Sequence, residues 1–344
     1  MNKVEFLYLS QKDVIECGAL DMGMVISELE VVFKLHYQGK TIMPDKMVLR
    51  WGDMDSEAIN GRINAMAGYI SDPINVAGIK WIASKPQNPM KYGMPRASAL
   101  IILNDPEKGF PIAVMDGTVI SAMRTGGVTG VAAKRLARKD SRVLCLIGAG
   151  TQNRTQLMAV KTALPSIDTV KVYDLNYDRA KRFAQEASEK FNIDLFAVTS
   201  PEEAVRDSDV IVTATTATSP IVKLAWVKEG AFISNVGNYE VESEVLKKAS
   251  KIIVDDWEKV KHRGVQTSAI LFKEGKLSDE DIYANLGAIV AGSVAGRENQ
   301  EEIIFFNPVG MAIEDLIVAN KIYKTARIRN LGVSLLLWEQ PYWV

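Results

Sequence analysis

A lysine inside an apolar run is the first residue that asks for chemistry. Lys80 stands in "VAGIKWIA", and an ammonium there needs either an anionic partner or a sheet edge from which it reaches solvent. Arg124 in "AMRTGG" and Arg50 in "MVLRWG" are two more cations. Arg124 lies at the junction of the two halves of the chain, and Arg50 is a third cation that could converge there. Each also has a structural alternative: a strand edge for Lys80, an interdomain ion pair for Arg124, an exposed strand position for Arg50. Histidine chemistry is confined to His36, in a helical stretch, and His262, in "EKVKHRG", both in surroundings that suit surface or structural residues. Lysine, arginine and carboxylates are therefore left to move protons and bind charge.

A second constellation lies in "VLCLIGAGTQN". An apolar run leads into Gly148 and Gly150, and Thr151 and Gln152 open a helix whose unpaired N–H groups and partial positive charge suit a pyrophosphate. The third fingerprint position is Asn153, where glycine or alanine is usual. The next strand, "TVKVYD", ends at Asp174, placed to accept from an adenosine ribose. A dinucleotide is expected here, with a plain structural turn as the alternative. NAD is favoured over NADP because a carboxylate repels a 2′-phosphate, while Arg179, a helical turn on, pulls the other way.

The elements that must position these groups show two rhythms. From 1 to about 120 the pattern is mixed α+β: "EFLYLS" reads as a strand, Ser10 with Asp13 caps the helical turn after that strand, residues 22–38 have helical periodicity, and "NVAGIKWIA", "ALIILND" and "PIAVMD" are strand-like runs between Pro, Gly and Asn/Asp punctuation. From 118 onward strands and helices alternate: a helix over "TVISAMRTGGVTGVAAKRLA", the strand "RVLCLI", helices at 152–163 and 177–190, and the strands "TVKVYD", "DLFAVT", "DVIVTAT", "AFISNV" and "KIIVDD". Near-continuously apolar strands at this spacing predict an α/β, Rossmann-type doubly wound parallel sheet. The late glycine turn then means insertion: a nucleotide domain over 121–310 inside a discontinuous domain made of 1–120 plus 311–344.

Composition excludes several classes. Lys plus Arg number 41 and Asp plus Glu 42, a net charge of −1 over 344 residues, so no global field attracts a nucleic-acid backbone or an anionic membrane. Cys17 and Cys145 are the only cysteines, too few for a disulfide scaffold or a Cys-based zinc site. "MNKVEFLYLSQKD" lacks the apolar core of a signal peptide, and no apolar run approaches the roughly 20 residues of a membrane span. A cytoplasmic protein with a small-molecule partner, no nucleic acid, no membrane and no metal is the expectation.

Through "GIKWI", "SAMRT", "IGAGTQ", "FISNVG" and the closing "GR…EEIIFFNPVGMAIEDL", the sequence resembles the ornithine cyclodeaminase and mu-crystallin family over essentially its full length. The resemblance implies a homodimer, an N-terminal substrate-binding and dimerisation domain completed by the C-terminus, and an inserted NAD domain. Arg50, Lys80 and Arg124 would meet the substrate carboxylate, and Lys85 and Arg96 of "SKPQNPMKYGMPRAS" would hold further carboxylates. Thr125, Gly148, Gly150, Thr151, Gln152, Asn153, Asp174, Thr213, Thr215, Asn235 and Gly237 make up the expected cofactor-binding set. Ornithine cyclodeaminases carry an Asp and a nearby Lys after the "FISNVG"-like strand; this chain has "GNYEVESE" there, without the Lys, which leaves Tyr239 or Glu240 in the region and Glu240 as the candidate base. The implied reaction is removal of hydride by NAD from the Cα of the glutamate portion of a secondary amine, with Lys80 favouring the unprotonated nitrogen. Hydrolysis of the imine then gives 2-oxoglutarate and 2,3-diaminopropionate. A cyclodeaminase, a ketimine or imino acid reductase, an amino acid dehydrogenase and a non-catalytic crystallin-like nucleotide binder are the alternatives.

Overall fold

Period-two alternation builds the first sheet of this computed structural model, which describes residues 3–52, 59–191 and 193–341. Strands β1 (Val4–Leu9), β2 (Thr41–Ile42), β3 (Met47–Gly52), β4 (Ile59–Ile70), β5 (Val76–Ser84), β6 (Ala97–Asn104), β7 (Pro111–Asp116) and, far along the chain, β16 (Val333–Trp338) pair in the order β16-β1-β7-β6-β5-β4-β2, with β3 also on β4. Every pairing is antiparallel except β1 with β7. In β5 the side chains of Val76, Lys80 and Ser84 are buried on one face, while Trp81 points to the other and is 45% exposed.

The long helices are α1 (Met22–Tyr37), α2 (Thr118–Leu136), α3 (Thr151–Ala163), α4 (Tyr177–Phe191) and α5 (Ala312–Arg329). Asp21 caps α1 by accepting from Met24 N at 3.0 Å, and Ser10 with Asp13 forms the capping box that the sequence suggests. Helix α5 lies against the buried face of the first sheet, and residues 312–320 are all buried. Two glycines admit it. Gly68 and Gly78 sit directly opposite each other on β4 and β5; a Cβ on Gly78 would come within 2.9 Å of Leu316 Cδ2 and still closer to the carbonyl oxygen of Ile102, and one on Gly68 within 3.3 Å of Ala312 and Leu316. A carboxylate on α5 is thereby carried against the sheet.

The second sheet is parallel throughout, in the order β10-β9-β8-β11-β12-β15-β13-β14. Its strands are β8 (Val143–Ile147), β9 (Thr169–Tyr173), β10 (Asp194–Ala197), β11 (Val210–Thr213), β12 (Phe232–Asn235), β13 (Lys251–Val254), β14 (Ile282–Asn285) and β15 (Ile304–Phe306). All residues of β11, β12 and β13 are buried, as strands covered on both faces must be. The chain runs from β8 to β9 and β10 on one side and returns to β11 on the other, which makes the carboxyl end of β8 the switch point where such sheets bind ligands. Strand β15 was not expected as an element. It has three residues, too few to display a period, and it is defined by insertion between β12 and β13.

Two compact units result, 1–124 with 311–344, and 125–310. The division falls inside α2 and not at the expected 120/121, because a boundary within a continuous helix leaves no Pro, Gly or loop signature in the sequence. No described helix is long and apolar enough to cross a membrane. Gly78→Ala should cost roughly 1–3 kcal/mol through overpacking against β6 and α5, seen as a lower denaturant midpoint with an unchanged m-value.

Candidate active site

Lys80 stands with Phe33 and Phe183 among the largest fully buried side chains of the protein. Strand β5 lies between β4 and β6, with Met66 and Ile101 opposite Lys80, so the edge position considered from sequence is excluded. Its Nζ donates to Asp315 Oδ2 at 2.7 Å and to Ser121 Oγ at 3.2 Å. Arg124 lies beside it, Nε 3.2 Å from Asp315 Oδ1 and Nη1 bonded to Glu314 Oε2. Glu314 and Asp315 occupy the first turn of α5, where the helix dipole stabilises negative charge. Two cations and two carboxylates are thus paired in a buried site. All four belong to one unit, so the ion pair of Arg124 is not interdomain. Burial, reinforced by the charge of Arg124 and opposed by Asp315, pushes the Lys80 ammonium down to about 8. A buried lysine shifted toward neutrality beside specific charge partners is a candidate functional group.

Glu314 and Asp315 were missed as site residues. The signal was present in "MAIEDL": two adjacent acids in an apolar segment, which burial of every neighbouring position forces into contact with the cations. Arg50 is not part of this cluster. It is exposed on β3, directly opposite Arg62 of β4, and Arg62 in turn faces Ser84 of β5. Lys85 and Arg96 flank the ends of β5 and β6, where Lys85 N donates to Arg96 O at 2.8 Å; the Lys85 ammonium lies 5.7 Å from the Tyr92 ring centre, and Arg96 is exposed. His36 is a structural residue, its Nδ1 2.7 Å from Thr41 Oγ1.

In the second unit the chain turns at Gly148, whose φ of 101° is a left-handed conformation suited to glycine. Its N–H donates to Tyr173 O at 2.7 Å. Gly150 is the N-cap of α3, contributes no side-chain cap and would find nothing within 4 Å of a Cβ. An uncapped helix N-terminus beside open space fits a pyrophosphate. Asp174 stands at the end of β9 and accepts from Ala149 N and Asn176 N, both at 2.9 Å, with Arg179 Nη1 3.7 Å away. Thr151 and Gln152 begin α3; Thr125, on α2, accepts from Gln156 Nε2 at 3.2 Å through its carbonyl. Asn153 is fully buried and its amide donates to the carbonyls of Ile147 and Gly148. It clamps the turn from behind, doing with hydrogen bonds what a small third residue does by close packing.

Glu240 requires a correction. The expected base is wholly buried and accepts from Thr213 Oγ1 at 2.7 Å, from both the N–H and the Oγ1 of Thr215 at 2.6 Å, from Asn235 Nδ2 at 2.9 Å and from Gly237 N at 3.0 Å. Five donors occupy the roughly four lone-pair positions of a carboxylate, which leaves none for a water proton. Its work is to tie the loops after β11 and β12 together. Thr213 and Asn235 belong to the same knot, Asn235 also accepting from Thr267 Oγ1 at 2.6 Å, and they shape the floor around Thr215 and Gly237.

Three outcomes are expected from this geometry. Because Lys80 loses its proton at about pH 8 when folded and near 10.5 when unfolded, the unfolded chain binds more protons between those values, and this residue's contribution to stability rises with pH across that window. The stability difference between the parent and Lys80→Met, followed from pH 7 to 11 by thermal melts, should carry that slope. Glu240→Ala should destabilise by about 2–4 kcal/mol, since five donors lose their acceptor. Gly150→Ala should leave the melting point unchanged and weaken dinucleotide binding in calorimetry.

Residues 7–330 match the profile of the ornithine cyclodeaminase/mu-crystallin family. The chain is 39% identical over 339 residues to N-((2S)-2-amino-2-carboxyethyl)-L-glutamate dehydrogenase of Staphylococcus aureus, covering 98% of this chain and 100% of the relative. Among solved structures, Thermococcus litoralis Delta(1)-pyrroline-2-carboxylate reductase in complex with NADH and L-proline superposes with a TM-score of 0.87 at 40% identity, over 96% of this chain and 100% of that one. An archaeal alanine dehydrogenase dimer with bound NAD superposes with a TM-score of 0.86 at 38% identity, over 97% and 100%. With the buried Lys80–Asp315 cluster, the glycine turn and the inserted parallel sheet in one chain, and the match running through both units, this protein is a member of the ornithine cyclodeaminase/mu-crystallin family.

Proposed function

We propose that the protein is an NAD-dependent oxidoreductase that cleaves N-(2-amino-2-carboxyethyl)-L-glutamate into 2,3-diaminopropionate and 2-oxoglutarate. The observation that carries the proposal is the buried pair Lys80 and Arg124, held by Asp315 and Glu314 on a sheet face that bears further arginines. Such a face suits a substrate with three carboxylates, and the full-length similarity to the staphylococcal dehydrogenase supports that choice. Residues of the Gly148–Gly150 turn and the start of α3 would hold the pyrophosphate of NAD and Asp174 its adenosine ribose; when bound, the nicotinamide supplies a two-electron hydride acceptor.

The protein's own groups do the rest. Lys80 and Arg124 orient the carboxylate of the glutamate portion, fixing which face of its Cα is presented. Neutral Lys80 takes the proton from the secondary ammonium, freeing the nitrogen lone pair that forms C=N as hydride leaves the carbon. Water adds to that carbon and the C–N bond breaks, the nitrogen departing as the primary amine of 2,3-diaminopropionate and the carbon becoming the ketone of 2-oxoglutarate. Asp315 and Glu314 hold the two cations at fixed positions while Lys80 gains and loses its proton.

Two copies are proposed to associate through the outer face of the first sheet, where Trp81, Leu100, Leu49 and Leu335 are exposed. A contiguous apolar face of this kind marks an interface, and the archaeal relative is described as a dimer. Trp81→Glu should shift the mass measured by light scattering from dimer to monomer.

With NAD and N-(2-amino-2-carboxyethyl)-L-glutamate, NADH should accumulate and mass spectrometry should find both products. Lys80→Met alone would strand Asp315, at about 3–5 kcal/mol for a broken buried pair, so the informative variant is Lys80→Met with Asp315→Leu: NADH formation lost, NAD affinity retained. Asp174→Ala should narrow the preference for NAD over NADP. NADH and ammonia from L-alanine, with no reaction of the substituted glutamate, would establish an alanine dehydrogenase instead; ammonia from ornithine without net NADH would establish a cyclodeaminase.

A further inference from the structure

Arg62 drew no attention in the sequence, and its place in the sheet is unusual. It lies directly opposite Arg50 in the antiparallel pair of β3 and β4, an arrangement that like charges disfavour. Across its other edge it faces Ser84 of β5, and Ser84 faces Ala97 of β6, the residue after Arg96. Among the described residues, the side chains of Arg50, Arg62 and Arg96 enter no ion pair or hydrogen bond. The contrast is internal to the protein: the buried cations Lys80 and Lys251 both have carboxylates within 3.0 Å. Arg62 is partly buried, and the charges of Arg96 and Arg50 add to burial in pushing its guanidinium downward, so each of the two lies within electrostatic reach of Arg62.

This row of residues lies on the substrate face. Ser84 is four residues beyond Lys80 on β5 and buried on the same side, and its cross-strand partners Arg62, partly buried, and Arg50, exposed, lie on that face as well. At about 3.3 Å per residue the rows are roughly 13 Å apart along the strand, and the long arginine and lysine side chains close part of that span. Between them Asn64 points to the same face, and its Oδ1 is buried with no partner among the described residues. Guanidinium forks match carboxylates in geometry as well as charge.

We propose that Arg62, with Arg50 and Arg96, forms a distal carboxylate subsite that selects polycarboxylate substrates over amino acids with a single carboxylate. It rests on the proposed cleavage of the substituted glutamate: one carboxylate is held at Lys80 and Arg124, and a second is met at the arginine row. An amino acid as short as alanine or proline, bound at Lys80, cannot extend along β5 to that row. An N-substituted glutamate with three carboxylates can.

The test uses the full-length protein with NAD present and two probes, tricarballylate and acetate, in titration calorimetry. The parent should bind tricarballylate about tenfold or more tightly than acetate; Arg62→Met should abolish that preference and leave acetate affinity and melting point unchanged, and Arg62→Lys should restore part of it. In turnover of N-(2-amino-2-carboxyethyl)-L-glutamate, Arg62→Met should raise KM with kcat little altered. If the parent turns over this substrate and Arg62→Met leaves both KM and the tricarballylate preference intact, the subsite is refuted while the proposed reaction stands. If there is no turnover but the preference depends on Arg62, the reaction is refuted and the subsite stands. A loss of dimer mass in Arg62→Met with unchanged tricarballylate binding would assign the arginines to the partner copy and overturn the proposal.

Discussion

The bond between Lys80 and Asp315 organises the first unit. It joins residues 235 positions apart, and the bond of Arg124 to Glu314 spans another 190. Charges removed from water are tolerated only when paired and hydrogen-bonded, so the strand that carries Lys80 requires the helix that carries Asp315. The consequence is topological: the segment after the inserted sheet has to return, and the return helix needs the Gly68–Gly78 pair to approach the sheet closely enough. The same constraint leaves the ammonium poised near neutrality, because burial lowers what Asp315 only partly restores.

The second unit solves a different problem with hydrogen bonds to buried polar side chains. Its glycine turn must keep backbone N–H groups open toward a ligand while the surrounding loops stay rigid. Asn153 fixes the turn from its buried side and Glu240 gathers the loops after β11 and β12. Both are buried: the Asn153 amide nitrogen donates to two backbone carbonyls while its Oδ1 has no partner among the described residues, and Glu240 is held by backbone, hydroxyl and amide donors. A carboxylate enclosed by five donors is a structural node, whereas Asp315 is bound to two cations, Lys80 and Arg124.

Within this family the scaffold serves proline-type imines, alanine and substituted glutamates in the relatives that this chain matches. One architecture thus serves different substrates, and the choice among them does not follow from the fold.

The alternation of apolar strands and helices after residue 118, the glycine turn and Asp174 were legible in the sequence because they depend on local periodicity and on contacts between consecutive elements. Lys80 was legible as an anomaly, since an ammonium in an apolar strand announces a missing partner. The identity of that partner was not: Asp315 and Glu314 are distant in the chain, and only the tertiary structure brings them to β5. The same holds for Glu240, whose residue type and position suited a base until five donors were seen around it, and for Arg62, which became meaningful through the register that sets it against Arg50. Local patterns determine which segments form and which faces they bury; long-range pairing decides which charges are spent on the fold and which remain for a ligand.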